Sequence, residues 1–125
     1  MIKQLLFVGL GGGIGSIFRY LVSFLANKFF ISTLFPWATF VANISGCFLI
    51  GFLAGLLSGH DVWDKHLRLL LLTGFCGGYT TFSAFSLENL RLLENHHYLP
   101  FLLYTSTSFI FGIASVALGL WVSKL

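Results

Sequence analysis

Four long apolar stretches, separated by short polar connections, dominate the hydrophobic pattern of this chain. They predict membrane-spanning helices over residues 4–31, 37–58, 67–93 and 98–123. The connections contain the segments STLFP, GHDVWDKH and LENHHY, which hold most of the charges. Since a spanning helix needs about 20 mostly apolar residues, we expect an all-α integral membrane protein with a single four-helix transmembrane domain over residues 1–125. The first stretch continues past Arg19 without a small-residue cleavage site, so we interpret it as a retained helix and not a signal peptide.

Composition agrees with this class. Hydrophobic residues make up 57% of the chain, charged residues 9%, and the mean hydropathy is +0.91, whereas soluble domains carry about 25% charged residues. The seven Lys and Arg residues form no basic tract, which argues against nucleic-acid binding. No cluster of His, Cys or acidic residues is predicted at membrane depth, and His60, His66, His96 and His97 fall in predicted connections. An enzyme is therefore not expected.

The third stretch contains GFCGGYTTFSAF, residues 74–85, which is unusual for a plain membrane helix. Paired glycines permit a break at little steric cost, and non-helical backbone at membrane depth is tolerated where it is buried in protein or lines a watery cavity. We therefore predict an unwound break over GFCGGYTT. Phe82 and Phe85 follow it one turn apart and predict a paired aromatic face.

Neutral donors recur along the predicted helices. They are Thr39 and Asn43 on the second helix, Thr80, Thr81, Ser83 and Ser86 on the third, and Tyr104 and Ser108 on the fourth. Amides and hydroxyls donate hydrogen bonds to anions, and phenylalanine ring edges carry positive partial charge. Helices one, two and four contain no acid, and Glu88 on helix three is expected within reach of Arg91. This pattern favours a path for a small, strongly hydrogen-bonding anion.

Arg19 lies deep in the first helix, where a cation is costly unless it snorkels, pairs or faces water. It is either an interfacial anchor beside Tyr20 or the cation of an aqueous vestibule. Charges in the loops barely favour one orientation: four cations are expected on the side of the termini and two or three on the other side. Insertion in both orientations and a single orientation with a weak signal both remain open.

Small residues form stripes suited to close helix packing in lipid. The second helix carries Ala42, Gly46, Gly51, Gly55 and Gly59, and the fourth carries Ser108, Gly112, Ser115 and Gly119. The first helix contains GLGGGIG, residues 9–15. With no preceding strand and no βαβ unit, this segment predicts a helix crossing or bend and not a nucleotide-binding loop.

Three ordered motifs resemble the Fluc/CrcB fluoride channels: GGGIGSIFRY at 11–20, FVANISGCFLIG at 40–51 and GFCGGYTTFSAFS at 74–86. The resemblance covers nearly the whole chain. It implies passive, fluoride-selective conduction that lowers cytoplasmic fluoride. It also implies an antiparallel, dual-topology homodimer with two pores, in the lipid of the bacterial inner membrane.

The resemblance also implies individual roles. Asn43 would line the pore, Phe82 and Phe85 would supply ring edges to fluoride, and Arg19 would be the vestibule arginine. Tyr104 and Ser108 fall on the polar side of the fourth helix. Backbone carbonyls of Gly77 and Thr80, from both subunits, would hold a structural sodium ion, Na+. Ala84 stands where many relatives have Ser or Thr.

Two other classes remain as alternatives. A dual-topology small multidrug transporter would need an acidic residue in the first helix, and residues 4–31 contain none. A non-transporting membrane assembly subunit, held together by the glycine stripes, would conduct no ions and would leave the break and Asn43 without a purpose.

Overall fold

The computed structural model describes residues 1–31, 33–58 and 65–125. Four helical stretches are long and apolar enough to cross a membrane, namely Ile2–Phe29, Trp37–Leu57, Lys65–Glu94 and Tyr98–Ser123. The predicted four-span, all-helical architecture is therefore confirmed, with ends that shift by up to two residues. Gly59, His60 and most of the second connection lie outside the described residues.

The third span consists of several consecutive segments. The first two spans are α1 (Ile2–Phe29) and α2 (Trp37–Leu57), and the fourth is α6 (Tyr98–Ser123). The third span runs through α3 (Lys65–Arg68), a π-helical segment (Leu69–Cys76), α4 (Gly77–Tyr79) and α5 (Ser83–Glu94). π-Helical turns are rare and frequently occur at functional sites. The span starts earlier than predicted, so His66 lies in α3 and not in a connection, with its ring 5.0 Å from that of Phe7.

The break in the third span is real, but it does not lie at the glycines. Gly74 to Tyr79 are helical, and the chain becomes extended at Thr80, where φ is −91° and ψ is 160°. The interruption covers residues 80–82. The prediction of an unwound GFCGGYTT segment was therefore wrong in position, because threonine hydroxyls compete for backbone groups whereas the glycines serve helix packing.

Glycines of α1 and of the third span let these two spans lie directly against each other. A Cβ atom on Gly11 would lie 2.1 Å from the Leu70 carbonyl oxygen, and one on Gly15 would lie 2.2 Å from the Phe75 carbonyl oxygen. From the other side, a Cβ on Gly78 would lie 2.3 Å from the Gly12 carbonyl oxygen. The GLGGGIG segment is thus a helix crossing, as predicted, within a continuous α1.

This crossing makes a testable prediction about stability. We expect Gly78→Ala to lower the free energy of unfolding by about 1 to 3 kcal/mol, because backbone on both sides of the contact has no room to yield. Gly13→Ala is the matched control, since a Cβ there meets nothing within 4 Å. Unfolding in detergent measures both, and equal stability of the two variants would contradict the packing role.

The second close contact is between α2 and α6, which pack extensively. A Cβ on Gly51 would lie 2.2 Å from the Val116 carbonyl oxygen, and one on Gly119 would lie 2.3 Å from the Phe48 carbonyl oxygen. The predicted packing role of these stripes is therefore confirmed within the described residues. Together, the two contacts place the break between α1, α2 and α6.

Candidate functional site

The break is held open by one side chain from another helix. In an unbroken α-helix, Thr81 would donate its N–H to the Gly77 carbonyl. Instead, the Thr81 N–H donates to Asn43 Oδ1 at 2.8 Å, and Asn43 Nδ2 donates to the Thr81 carbonyl oxygen at 2.9 Å. The amide of α2 thus takes over both backbone groups of Thr81.

Threonine hydroxyls complete the two ends of the break. Thr80 Oγ1 donates to the Cys76 carbonyl oxygen at 2.8 Å and so closes the helix before the break. Thr81 Oγ1 accepts the N–H of Ala84 at 3.3 Å and so binds a backbone group in the first turn of α5. Ser83 Oγ lies 3.2 Å from the same Thr81 hydroxyl. Polar groups therefore converge on Thr81.

A cavity of about 460 Å³ adjoins the break on the side of α2 and α6. Its walls carry amide, hydroxyl, thiol, backbone and aromatic groups, from Asn43, Ile44, Gly46, Cys47, Ile50, Cys76, Gly77, Thr80, Thr81, Phe82, Phe85, Ser108 and Phe109. We call it the break cavity. None of the described side chains that line it is charged.

Aromatic rings form one wall of the break cavity. The rings of Phe82 and Phe85 have centroids 5.9 Å apart and are tilted by 34°. Phe85 also contacts Tyr104 at 5.0 Å and Phe109 edge-on at 6.2 Å. Phe82 is 73% exposed, so protein within this chain covers only one of the paired rings. The predicted paired aromatic face is confirmed.

Arg19 lines a second cavity, which meets the break from the side of α1. This cavity of about 250 Å³ is lined by Ser16, Arg19, Tyr20, Ser23, Thr39, Thr81 and Ala84; we call it the Arg19 cavity. Most of its lining side chains are polar, and Thr81 belongs to both cavities. Arg19 therefore faces a polar space inside the chain.

Glu88 has a second partner besides the one predicted. Its carboxyl oxygen Oε1 accepts a hydrogen bond from Thr39 Oγ1 at 2.6 Å, across 49 residues of sequence. The electrostatic interaction with Arg91, three residues away on the same helix, is present as predicted, and this contact between α5 and α2 is added to it. Two polar side chains are thereby joined between the helices that flank the break.

The structure brings most of the predicted site residues together. The break cavity collects Asn43, Gly77, Thr80, Phe82, Phe85 and Ser108, and the Arg19 cavity collects Arg19 and Thr39. Ser83 and Tyr104 line neither cavity. Tyr104 is fully buried, and its hydroxyl has no hydrogen-bond partner in the part of the chain that the structure describes.

Sequence reasoning missed two features of the site. It did not connect Thr39 with Glu88, and it did not identify Thr81 as the residue shared by both cavities. No local signal could have found either, because each depends on how distant helices pack. The adjacent threonines Thr80 and Thr81 could have located the break, since threonine hydroxyls can bond to nearby backbone groups.

Comparison with known proteins yields one family. Residues 6–120 match the model of the family described as CrcB-like protein, Camphor Resistance (CrcB). A protein of Flavobacterium psychrophilum named "Fluoride-specific ion channel FluC" is 46% identical over 98% of both chains. A protein of the same name from Phocaeicola vulgatus is 45% identical over 98% of this chain and 99% of its own. With a match over nearly its whole length, this chain belongs to the CrcB family.

Proposed function

We propose that this protein is a fluoride-selective ion channel of the bacterial membrane. The main support is the broken third span, where Asn43 holds Thr81. Two cavities meet there, and neutral donors and phenylalanine rings line them. Its relatives in the family bear the name of fluoride-specific channels. The protein is a multi-pass membrane channel and not an enzyme.

The proposed path runs from the Arg19 cavity past Thr81 into the break cavity. Arg19 concentrates anions by its field, and the anion then meets donors and ring edges without meeting a charged side chain in the break cavity. The Asn43 amide uses one Nδ2 hydrogen for Thr81 and keeps the other for an anion. The hydroxyls of Ser83 and Ser108 add further donors.

Tyr104 supports the proposed path from behind the rings. Its ring contacts Phe85, and its hydroxyl is buried without a partner in the described chain. Tyr104 lines neither cavity, so its hydroxyl lies behind the wall of the path. Tyr104 therefore acts on the path through the Phe85 ring that it supports.

Selectivity follows from the size and hydration of fluoride. Fluoride holds its water more tightly than larger halides do, so the path must replace that water with several donors at short range. A constriction sized for fluoride cannot admit chloride without straining close-packed walls. Conduction is passive, so efflux follows the electrochemical gradient and lowers cytoplasmic fluoride.

Fluoride efflux from liposomes that contain the purified protein tests this function. A fluoride electrode follows the release of fluoride, and chloride release is measured in parallel from matched vesicles. We expect rapid fluoride efflux and little chloride efflux. Equal rates would contradict selectivity, and no efflux of either ion would favour a non-transporting assembly subunit.

The proposed channel is an antiparallel homodimer with two pores in the inner membrane. Support comes from the uncovered side of the break cavity, where Gly77 and Phe82 are exposed, and from the nearly equal cation counts expected on the two sides of the membrane.

Light scattering in detergent should give a protein mass of twice 13.9 kDa. Labelling of one terminal cysteine with an impermeant reagent should reach about half of the chains; full or zero labelling would contradict dual topology.

We also propose a structural sodium ion between the two copies, held by the carbonyls of Gly77 and Thr80. The donor set fits a hard cation, which prefers oxygen ligands. The Gly77 carbonyl lacks its helical donor because Asn43 takes the Thr81 N–H, and Thr80 is extended. Both residues line the break cavity. Two carbonyls are too few ligands for a sodium ion, and the same two carbonyls of the second copy would extend the coordination shell.

Removal of sodium is therefore expected to weaken the dimer. Protein exchanged from sodium into N-methylglucamine should unfold at a lower temperature in detergent, and added sodium should restore the midpoint. Bound ions stabilise a folded state by mass action. Potassium at the same ionic strength is the control, and identical midpoints in all three salts would contradict the site.

A further inference from the structure

A third cavity, of about 420 Å³, lies at the end of the molecule where the connection between α1 and α2 is located. Its lining residues come from α1, that connection, α2 and α5, and are Asn27, Phe30, Thr33, Leu34, Phe35, Pro36, Trp37, Ala38, Glu88, Arg91 and Leu92. We call it the Arg91 cavity. Its aromatic rim is well packed, because the Trp37 ring lies 4.5 Å from those of both Phe30 and Phe35.

The Arg91 cavity continues the groove that holds the Arg19 cavity. On α1, the Arg19 cavity uses Ser16, Arg19 and Ser23, and the Arg91 cavity uses Asn27. These positions recur every three or four residues, so they share one face of the helix. At 1.5 Å per residue they span about 17 Å, more than half of a hydrocarbon core about 30 Å thick.

The opposite wall of the groove is just as continuous. Ala84 lines the Arg19 cavity, and Glu88 and Arg91 line the Arg91 cavity at successive turns of α5. The two cavities meet where Thr39, from the wall of one, donates its hydrogen bond to Glu88, from the wall of the other. One groove therefore leads from the end of the molecule to the break at Thr81, with a polar contact part of the way along.

Arg91 is the cation of the outer part of this groove. Its side chain is exposed, and its guanidinium makes no hydrogen bond with any described residue. Glu88 lies one turn further in and is half-buried, with Oε1 committed to Thr39. An anion that enters would thus meet the positive charge of Arg91, which also acts on Glu88, before it meets that acidic side chain.

We propose that the Arg91 cavity is the outer entrance for the permeating anion and that Arg91 captures small anions there and offsets the charge of Glu88. This inference rests on the proposed fluoride conduction. Charge at the mouth of a cleft raises the local concentration of a counter-ion and its rate of entry. Arg91 acts on entry, in series with Arg19, and not on the choice between fluoride and chloride.

Fluoride efflux at two ionic strengths tests the proposal. In an impermeant salt at about 0.01 M the Debye length is about 30 Å, and at about 1 M it is about 3 Å. We expect Arg91→Gln to slow fluoride efflux about fivefold at low ionic strength and less than about twofold at high ionic strength. Arg91→Lys, which keeps the charge, should conduct close to the parent rate.

Lys28→Gln is the matched control. Lys28 carries the same charge at the same end of the molecule, but it lies over the Phe24 ring at 4.5 Å and outside the groove. It should slow efflux at low ionic strength clearly less than Arg91→Gln does, and leave it unchanged at high ionic strength. The double variant Arg91→Gln with Glu88→Gln should recover part of the efflux that Arg91→Gln alone loses, because the uncompensated acid is then removed.

Three results separate the possible failures. An unmodified protein without fluoride efflux would overturn the proposed function itself. Normal efflux from the unmodified protein and from Arg91→Gln would overturn only the entrance. An equal loss at both ionic strengths that Arg91→Lys does not repair would assign Arg91 a structural role and would also overturn the entrance.

Discussion

Replacing Phe85 with isoleucine is expected to reduce fluoride efflux from liposomes by about 100-fold, the scale seen when one preorganised donor to an anion is removed. The Phe85 ring sits between Phe82, Tyr104 and Phe109 and lines the break cavity. Isoleucine keeps an apolar side chain but removes the positive ring edge. Phe82→Ile removes the second ring of the pair, and we expect a similar loss.

The control for this prediction is Phe111→Ile on α6. Phe111 is 52% exposed and lies outside the break cavity, so its loss should leave efflux unchanged. All variants should keep the elution volume of the parent protein in detergent. Unchanged efflux in both Phe82→Ile and Phe85→Ile would remove the ring-edge mechanism, whatever the control shows.

Asn43→Leu is expected to abolish efflux and to destabilise the fold together. Leucine leaves both the N–H and the carbonyl of Thr81 without their partner. Each unpaired group costs about 1 to 3 kcal/mol, so the free energy of unfolding should fall by about 2 kcal/mol or more. Unfolding in detergent and fluoride efflux measure the two effects.

A graded variant separates the two hydrogen bonds of Asn43. Asn43→Asp keeps an acceptor for the Thr81 N–H but loses the donor to its carbonyl, so its stability should fall between those of the parent and Asn43→Leu. Asn95→Leu is the control, because it removes an exposed amide that donates to the Arg91 carbonyl at 2.8 Å. It should lower the free energy of unfolding only slightly. If Asn43→Leu proved as stable as the parent, the amide would not hold the break.

Most of the fold was predictable because bilayer insertion depends on local properties. Apolar length and the small-residue stripes are read directly from the chain, and both predict the observed spans and the close approach of α2 to α6. The same reasoning misplaced the break. Glycine frees the backbone but also permits close packing, and only the position of α1 against Gly78 decides which use prevails.

The candidate site was predictable as a set of residue types but not as an arrangement. The paired rings of Phe82 and Phe85 follow from a spacing of three residues across the start of α5. The partner of Glu88 does not, because local spacing favours Arg91 whereas helix packing brings Thr39 to 2.6 Å from across the sequence. Tyr104 was expected among the lining residues and instead lies buried behind Phe85.

The sequence by itself determined the class of this protein, its four spans, the presence of a break and the neutral, aromatic chemistry around it. These follow from hydropathy and short spacings, since a lipid environment forces each backbone segment to satisfy its own hydrogen bonds. Only the tertiary structure decided that the break lies at Thr80 and Thr81, that Asn43 holds it across 38 residues, and that a contact of Thr39 with Glu88 joins the walls of the Arg19 and Arg91 cavities. Those features depend on contacts between distant helices, which the pattern along one chain does not encode.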